Sequence, residues 1–150
     1  MKKQLSSIVT VLSLLIAMTG VGFAQTPVAI SVDIPFDFTV GNKPLPAGKY
    51  TIRRLNGPDT MFIRNSDTAT SAPFLVHGGE TVNGYAPCQV SFNRYGDKYY
   101  LSQIWDGSDN TGRKLLKSKS ERETATRMRD HLARNDANPQ VVTLLAQNLK

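Results

Sequence analysis

Val28-Ala29-Ile30-Ser31-Val32-Asp33-Ile34-Pro35-Phe36-Asp37-Phe38-Thr39-Val40 carries a large apolar residue at every even position and none at the odd ones apart from Ala29 and Pro35. Successive side chains of a strand point to opposite faces, so this alternation predicts a strand with one face on a core and the other toward water. Pro35 falls on the polar phase and has no N–H to give a ladder. The strand is therefore expected to be an edge or to be bulged near Pro35, which would let it bend between two sheets.

Further strands are expected at short spacing on either side of turn residues. Gly41 to Gly48 is rich in Gly and Pro and leads into Lys49–Leu55, with Tyr50 and Ile52 in phase. Pro46 suits the first corner of a turn and Gly48 the positive φ that closes it. Asn56-Gly57-Pro58-Asp59 turns the chain into Thr60–Arg64, and Ala72, Phe74 and Val76 mark a fourth strand before a loop expected over 78–87. Cys88–Arg94 and Lys98–Trp105 form a hairpin about Tyr95-Gly96-Asp97; Tyr99, Leu101 and Trp105 share one phase and Tyr100 and Ile104 the other, which predicts a central strand covered on both faces. A short strand is expected over 113–117.

The pattern changes after Lys117. Ser120-Glu121-Arg122-Glu123 has capping-box spacing, with Arg127, Arg129 and Arg134 toward the far end, and predicts a helix over 121–133. Ala125, Met128 and Leu132 give it a thin apolar stripe, fit to cover a sheet edge or barrel end. Asn135–Pro139 breaks it. Val141–Ala146 reads as a strand or a short helix, and the Val-Val start after a Pro favours strand. The sum is an all-β domain, a β-sandwich or small antiparallel barrel of about seven to nine strands with one C-terminal helix.

The N-terminus sets the compartment. Lys2 and Lys3 precede an apolar run from Ile8 to Ala17, and Gly22 and Ala24 stand three and one before a cut after Ala24. This is the three-part pattern of an export signal, and the run is short for a membrane span of about 20 residues. Residues 1–24 are read as a signal peptide and 25–150 as one β-rich domain, periplasmic or extracellular, without a transmembrane span after processing. Losing Lys2 and Lys3 lowers the formal charge of +6 by two. An exported chain of this mild basicity is not expected to meet nucleic acid. The single cysteine, Cys88, forms no internal disulfide; its alternation with Val90 and Phe92 favours a buried, inert thiol over a reactive one.

Two blocks carry a resemblance: Phe36-Asp37-Phe38-Thr39-Val40-Gly41 leading to Leu45-Pro46-Ala47-Gly48-Lys49-Tyr50, and Tyr100-Leu101-Ser102-Gln103-Ile104-Trp105 leading to Gly112-Arg113 and 118–123. Together they resemble a group of small exported bacterial proteins, common in soil bacteria, that have no established activity. The resemblance covers most of residues 25–150. It implies an exported β-rich domain and assigns no catalytic residue.

Catalytic constellations are sparse. A serine hydrolase needs a nucleophile held against a base, and the chain offers only His77 and His131, with no Gly-x-Ser-x-Gly elbow. One hydrolase reading remains, with His77, Glu80 and a loop serine such as Ser71 or Ser108. Zinc ligands are too few. Asp106, Asp109 and Asn110 are weak calcium candidates, since the glycine and the bidentate acid of an EF-hand loop are misplaced, the latter position being Lys117. Asp33 and Asp37 lie too far apart along a strand for a glycosidase pair, about 13 Å between Cα atoms at the usual rise. No cofactor is expected.

Binding candidates are more plentiful. Tyr95, Tyr99, Tyr100 and Trp105, with Tyr85 nearby, could stack on sugars or fill an interface, although cross-strand pairing inside the fold is favoured. Arg113, Lys114, Lys117 and Lys119 could meet an acidic polysaccharide, an acidic surface such as phospholipid headgroups, or another protein; alternate lysines also guard strand edges. The sequence therefore favours an exported, non-catalytic binding or cell-envelope interaction module, with the small hydrolase as its alternative.

Overall fold

The opening alternation folds as two strands in two different sheets. β1 (Ala29–Ile34) buries Ile30, Val32 and Ile34, the chain turns at Pro35–Asp37, and β2 (Phe38–Val40) continues the same apolar phase in the facing sheet. The computed structural model describes residues 28–55, 57, 59–131 and 138–149. The export signal at 1–24 with its cut after Ala24, turn positions 56 and 58, the helix end at 132–133 with Leu132, and the break at 135–137 lie outside them.

Among the described residues the architecture is an all-β sandwich of twelve strands with one helix near the C-terminus. β3 (Lys43–Leu45) forms a hairpin with β2, and β4 (Gly48–Arg54), β5 (Thr60–Asn65) and β6 (Ser71–Leu75) follow as an antiparallel meander. β7 (His77–Thr81), β8 (Gln89–Tyr95), β9 (Lys98–Trp105), β10 (Thr111–Lys114), β11 (Gln140–Leu145) and β12 (Gln147–Leu149) complete the chain around the helix α1 (Lys119–His131). One sheet runs β12-β1-β4-β5-β6; the other runs β11-β8-β9-β10-β7, with β2 alongside β9 in parallel. β1 is thus paired on both sides, and Pro35 marks the corner rather than an edge.

Two more crossings close the sandwich at its sides. Val76 alone separates β6 of the first sheet from β7 of the second, and Ala146 alone separates β11 from β12. Both corners are pinned: the Val76 N–H donates to the Asp59 carbonyl at 2.8 Å and the Ala146 N–H to Cys88 at 2.9 Å. Between the sheets lies one core built from the predicted phases: Tyr50 and Ile52 of β4, Met61 and Ile63 of β5, Phe74 of β6, Val90 and Phe92 of β8. Phe38 packs edge-on against Tyr50 and Phe92 at 5.1 and 5.4 Å. Gly48 takes φ +148, and the Tyr50 hydroxyl donates to Pro46 at 2.6 Å, which fixes the turn expected there.

The strand count exceeds the seven to nine expected, because the opening stretch splits and three short strands join. β7 (His77–Thr81) takes in the first four residues of the loop expected over 78–87 and pairs with β10; β3 and β12 are three residues each. β10 ends at Lys114, before the two leucines expected to continue it. Val141–Ala146 is strand up to Leu145, as favoured.

The central β9 carries a bulge that two-residue counting could not place. Its register against β8 shifts between Ser91 and Phe92, and the extra residue, Ser102, turns its hydroxyl back to the Ser91 carbonyl at 2.9 Å. Leu101 and Ile104 therefore share the inner face despite opposite parity, while Tyr100 and Trp105 lie outside that core cluster. The helix begins at Lys119, two residues before the expected start at Glu121, and its cap is Ser118 rather than Ser120. Ser118 Oγ accepts the Glu121 N–H at 3.1 Å, using the overlapping Ser-x-x-Glu frame, and this frame turns Glu121, Ala125 and Met128 onto Tyr95 and Tyr100.

Candidate functional site

The aromatic candidates are mostly consumed by the fold. Tyr95 and Tyr100 are buried beneath α1, with ring centroids 5.9 Å apart, and Trp105 is buried as well. Their hydroxyls serve the helix: Tyr95 donates to Glu121 at 3.2 Å, and Tyr100 pairs with Thr124 Oγ1 at 2.9 Å. Burial, followed by the charge of Glu121, pushes the Tyr95 phenol up to about 12. None of these three rings offers a face to an outside ligand. Tyr99 is half-buried and stacked on Phe36 at 3.8 Å, bordering a cleft of about 480 Å³ with Asp37, Asp97 and Lys98.

The calcium candidates have other partners. Asp106 Oδ2 accepts both Arg54 Nε and Nη2, and its Oδ1 accepts the Ser108 N–H and hydroxyl. Asp109 pairs with Arg113, and the Asn110 side-chain oxygen with Thr111. Among the described residues no group of three or more His, Cys, Asp or Glu is placed to hold a metal ion. Asp37 is occupied by the Ala47 N–H at 2.8 Å. Cys88 is half-buried and donates to the Asp106 carbonyl at 3.3 Å; burial, then the Asp106 charge, raises its thiol, which disfavours the reactive thiolate.

The hydrolase candidates do not converge. His77 is exposed at the start of β7, Ser71 stands at the far end of β6, Ser108 is bonded to Asp106, and Glu80 meets Lys114 at 3.4 Å. Lys114 is thereby paired, whereas Lys117 and Lys119 stand with His77 around a larger feature.

That feature is a groove of about 1060 Å³ between the β2–β3 turn, β6 with its Val76 corner, the segment 115–118 and the start of α1. Its floor reaches the core through Val40, Phe74 and Val76, and Leu115 packs against the same core from the groove side. Two leucines rise beside this floor, Leu75 at 71% exposure and Leu116 at 77%. Four full cations line the groove, Lys43, Lys117, Lys119 and Arg122, against one carboxylate, Asp59. Among the described residues only Lys119 of the four has an ion pair, with Glu123 at 3.9 Å. Lys43 donates to the Ser71 carbonyl at 2.6 Å and Lys117 to the Tyr95 hydroxyl at 3.3 Å, so both are held in place without an ion pair among the described residues.

The positive end of α1 adds to this field. Ser118 satisfies the Glu121 and Arg122 N–H groups, by side chain and by carbonyl, and the first turn with Lys119 and Arg122 borders the groove. Sequence reasoning found Lys117 and Lys119 but missed Lys43, Leu75, Leu116 and Arg122. Leu75 sits on the solvent phase of β6 and Leu116 just beyond β10, and only the topology brings them together.

Among the described residues no helix is long and apolar enough to cross a membrane. Comparison of the chain with protein-family models, with curated proteins and with solved structures finds no match in any of the three.

Proposed function

We propose that the protein is an exported, non-catalytic binding module and that it holds an anionic component of the cell envelope in the groove beside β6. The observation that carries this reading is the combination of four lining cations, a single carboxylate and an apolar floor continuous with the core. An apolar concavity with a few charged groups at its rim is the usual form of a small-molecule site. The export pattern at 1–24 and the resemblance to exported bacterial proteins support the compartment.

The test is retention of residues 25–150 on cell-envelope fractions, compared with the Lys117→Gln/Lys119→Gln variant and with Lys114→Gln. Retention should fall with salt and with the first variant, because exposed charge is screened. Lys114, which does not line the groove, should be dispensable. Retention indifferent to Lys117 and Lys119 overturns the proposal. A broad hydrolase screen run alongside addresses the alternative, since His77 also borders the groove; turnover lost in His77→Ala would establish hydrolysis in its place.

A further inference from the structure

We infer that the groove's ligand is a long-chain fatty acid, with its alkyl chain over Phe74, Val76 and the two exposed leucines and its carboxylate among Lys117, Lys119 and Arg122; this rests on the binding reading above.

Elimination from the groove's own chemistry leads there. A polysaccharide site is built on exposed rings to stack on, yet the one Phe, Tyr or Trp lining the groove, Phe74, is buried. A peptide adding to the β6 edge needs a repeating ladder. The inward bonds of Thr70 and Val76 to β5 leave Ser71, Pro73 and Leu75 facing outward by the alternation of an antiparallel pair. Pro73 has no N–H and the Ser71 carbonyl is taken by Lys43, so the ladder is interrupted at its middle and at one end. An alkyl chain needs neither rings nor ladder. It removes Leu75 and Leu116 from water at the place where they flank an already apolar floor.

The charges select the head. Lys117, Lys119 and Arg122 stand at the positive end of α1, at one side of the groove, so an anion there meets both ammonium or guanidinium groups and the helix dipole. A volume of about 1060 Å³ accommodates one such molecule, not the face of a bilayer.

The experiment titrates residues 25–150 with sodium octanoate, decanoate and dodecanoate below their micellar concentrations, by calorimetry and by native mass spectrometry. Dodecyl phosphate and dodecyltrimethylammonium are the head-group controls. One equivalent of dodecanoate should bind, with affinity rising about twofold to fourfold for each added methylene. The trimethylammonium should bind at least tenfold more weakly. Leu75→Asn/Leu116→Asn should lose at least tenfold for dodecanoate; both side chains are exposed, so the thermal midpoint should hold, and Leu116→Asn alone, outside any strand, gives a second reading. No dodecanoate binding, equal binding of the cationic amphiphile, preference for the phosphate head, or affinity unchanged by the leucine variants would overturn the inference. Envelope retention without dodecanoate binding rejects the fatty acid and leaves the binding module intact; loss of both rejects both.

Discussion

Arg54, the last residue of β4, places Nε at 3.0 Å and Nη2 at 2.7 Å from the same oxygen of Asp106, which follows β9, so one guanidinium joins the two sheets of the sandwich. Asp106 is 4% exposed and its other oxygen is filled by Ser108. Burial opposes its charge. The Ser108 hydrogen bonds and the Arg54 guanidinium outweigh that opposition and hold the carboxyl below its ordinary value.

Arg54→Met should therefore destabilise the protein at neutral pH by about 2 kcal/mol, short of the roughly 3–5 kcal/mol for a fully buried pair, because Arg54 remains partly solvated. A carboxyl whose folded value is depressed contributes stability above its unfolded value and loses it as pH falls through the folded one. The gap between wild type and variant in urea midpoints should accordingly narrow as pH drops below about 4. A gap that stays constant from pH 7 to pH 3 would contradict the pairing.

Tyr95 gives the opposite sign at the alkaline end. Its folded value of about 12 stands above the unfolded 10, so the stability it contributes is complete below pH 10 and is lost as pH rises toward 12. The loss should come to about 2 kcal/mol by pH 12. Tyr95→Phe should remove this slope, and absorbance titration should show one fewer phenol ionising late.

Gly107 has φ +69, and a Cβ there would lie 2.7 Å from Cys88 Sγ. Gly107→Ala should cost about 2 kcal/mol, half from the left-handed backbone and half from the thiol contact. Repeating it in a Cys88→Ala background should recover about 1 kcal/mol, which a double-mutant cycle in urea measures. An additive cycle would mean that the thiol moves aside freely.

Gly112 is bounded by Trp105. A Cβ would stand 2.8 and 2.9 Å from indole carbons and 2.5 Å from Gln103 Nε2. Gly112→Ala should cost about 1–3 kcal/mol by overpacking and push the ring toward water. Trp105 is the sole tryptophan, so emission should shift to longer wavelength in the folded variant.

Alternation sufficed where burial alone decides. It found β1, β2, β4, β5 and the corner at Pro35, because each buries one face against a single core. It failed for β7, whose His77-Gly78-Gly79-Glu80-Thr81 buries almost nothing; that strand exists because Gly79 lets β10 approach, with the Gly112 carbonyl 3.0 Å from where a Cβ would be. It misassigned Trp105 because the extra residue Ser102 reverses parity within one strand. Two overlapping Ser-x-x-Glu frames made the helix start ambiguous, and packing on Tyr95 and Tyr100 chose between them. The groove was half legible: Lys117 and Lys119 form a visible basic run, but Lys43 and Leu75 reach it from distant turns of the chain.

The single-residue joints at Val76 and Ala146 also limit how the molecule can open. One residue of extended chain reaches only about 3.5 Å, so neither flank allows the sheets to slide or part by more than that without breaking strand pairing. A guest of the proposed groove would then enter past the hairpin tip at Gly41–Asn42, the bordering turn outside the joints, because the segment 115–118 is tied to β9 by the Leu115 N–H, which donates to the Ser102 carbonyl at 2.9 Å. The sandwich frame would hold its dimensions while that turn adjusts, and amide exchange should register binding of the proposed ligand at Gly41–Asn42 and leave the frame's protection unaltered.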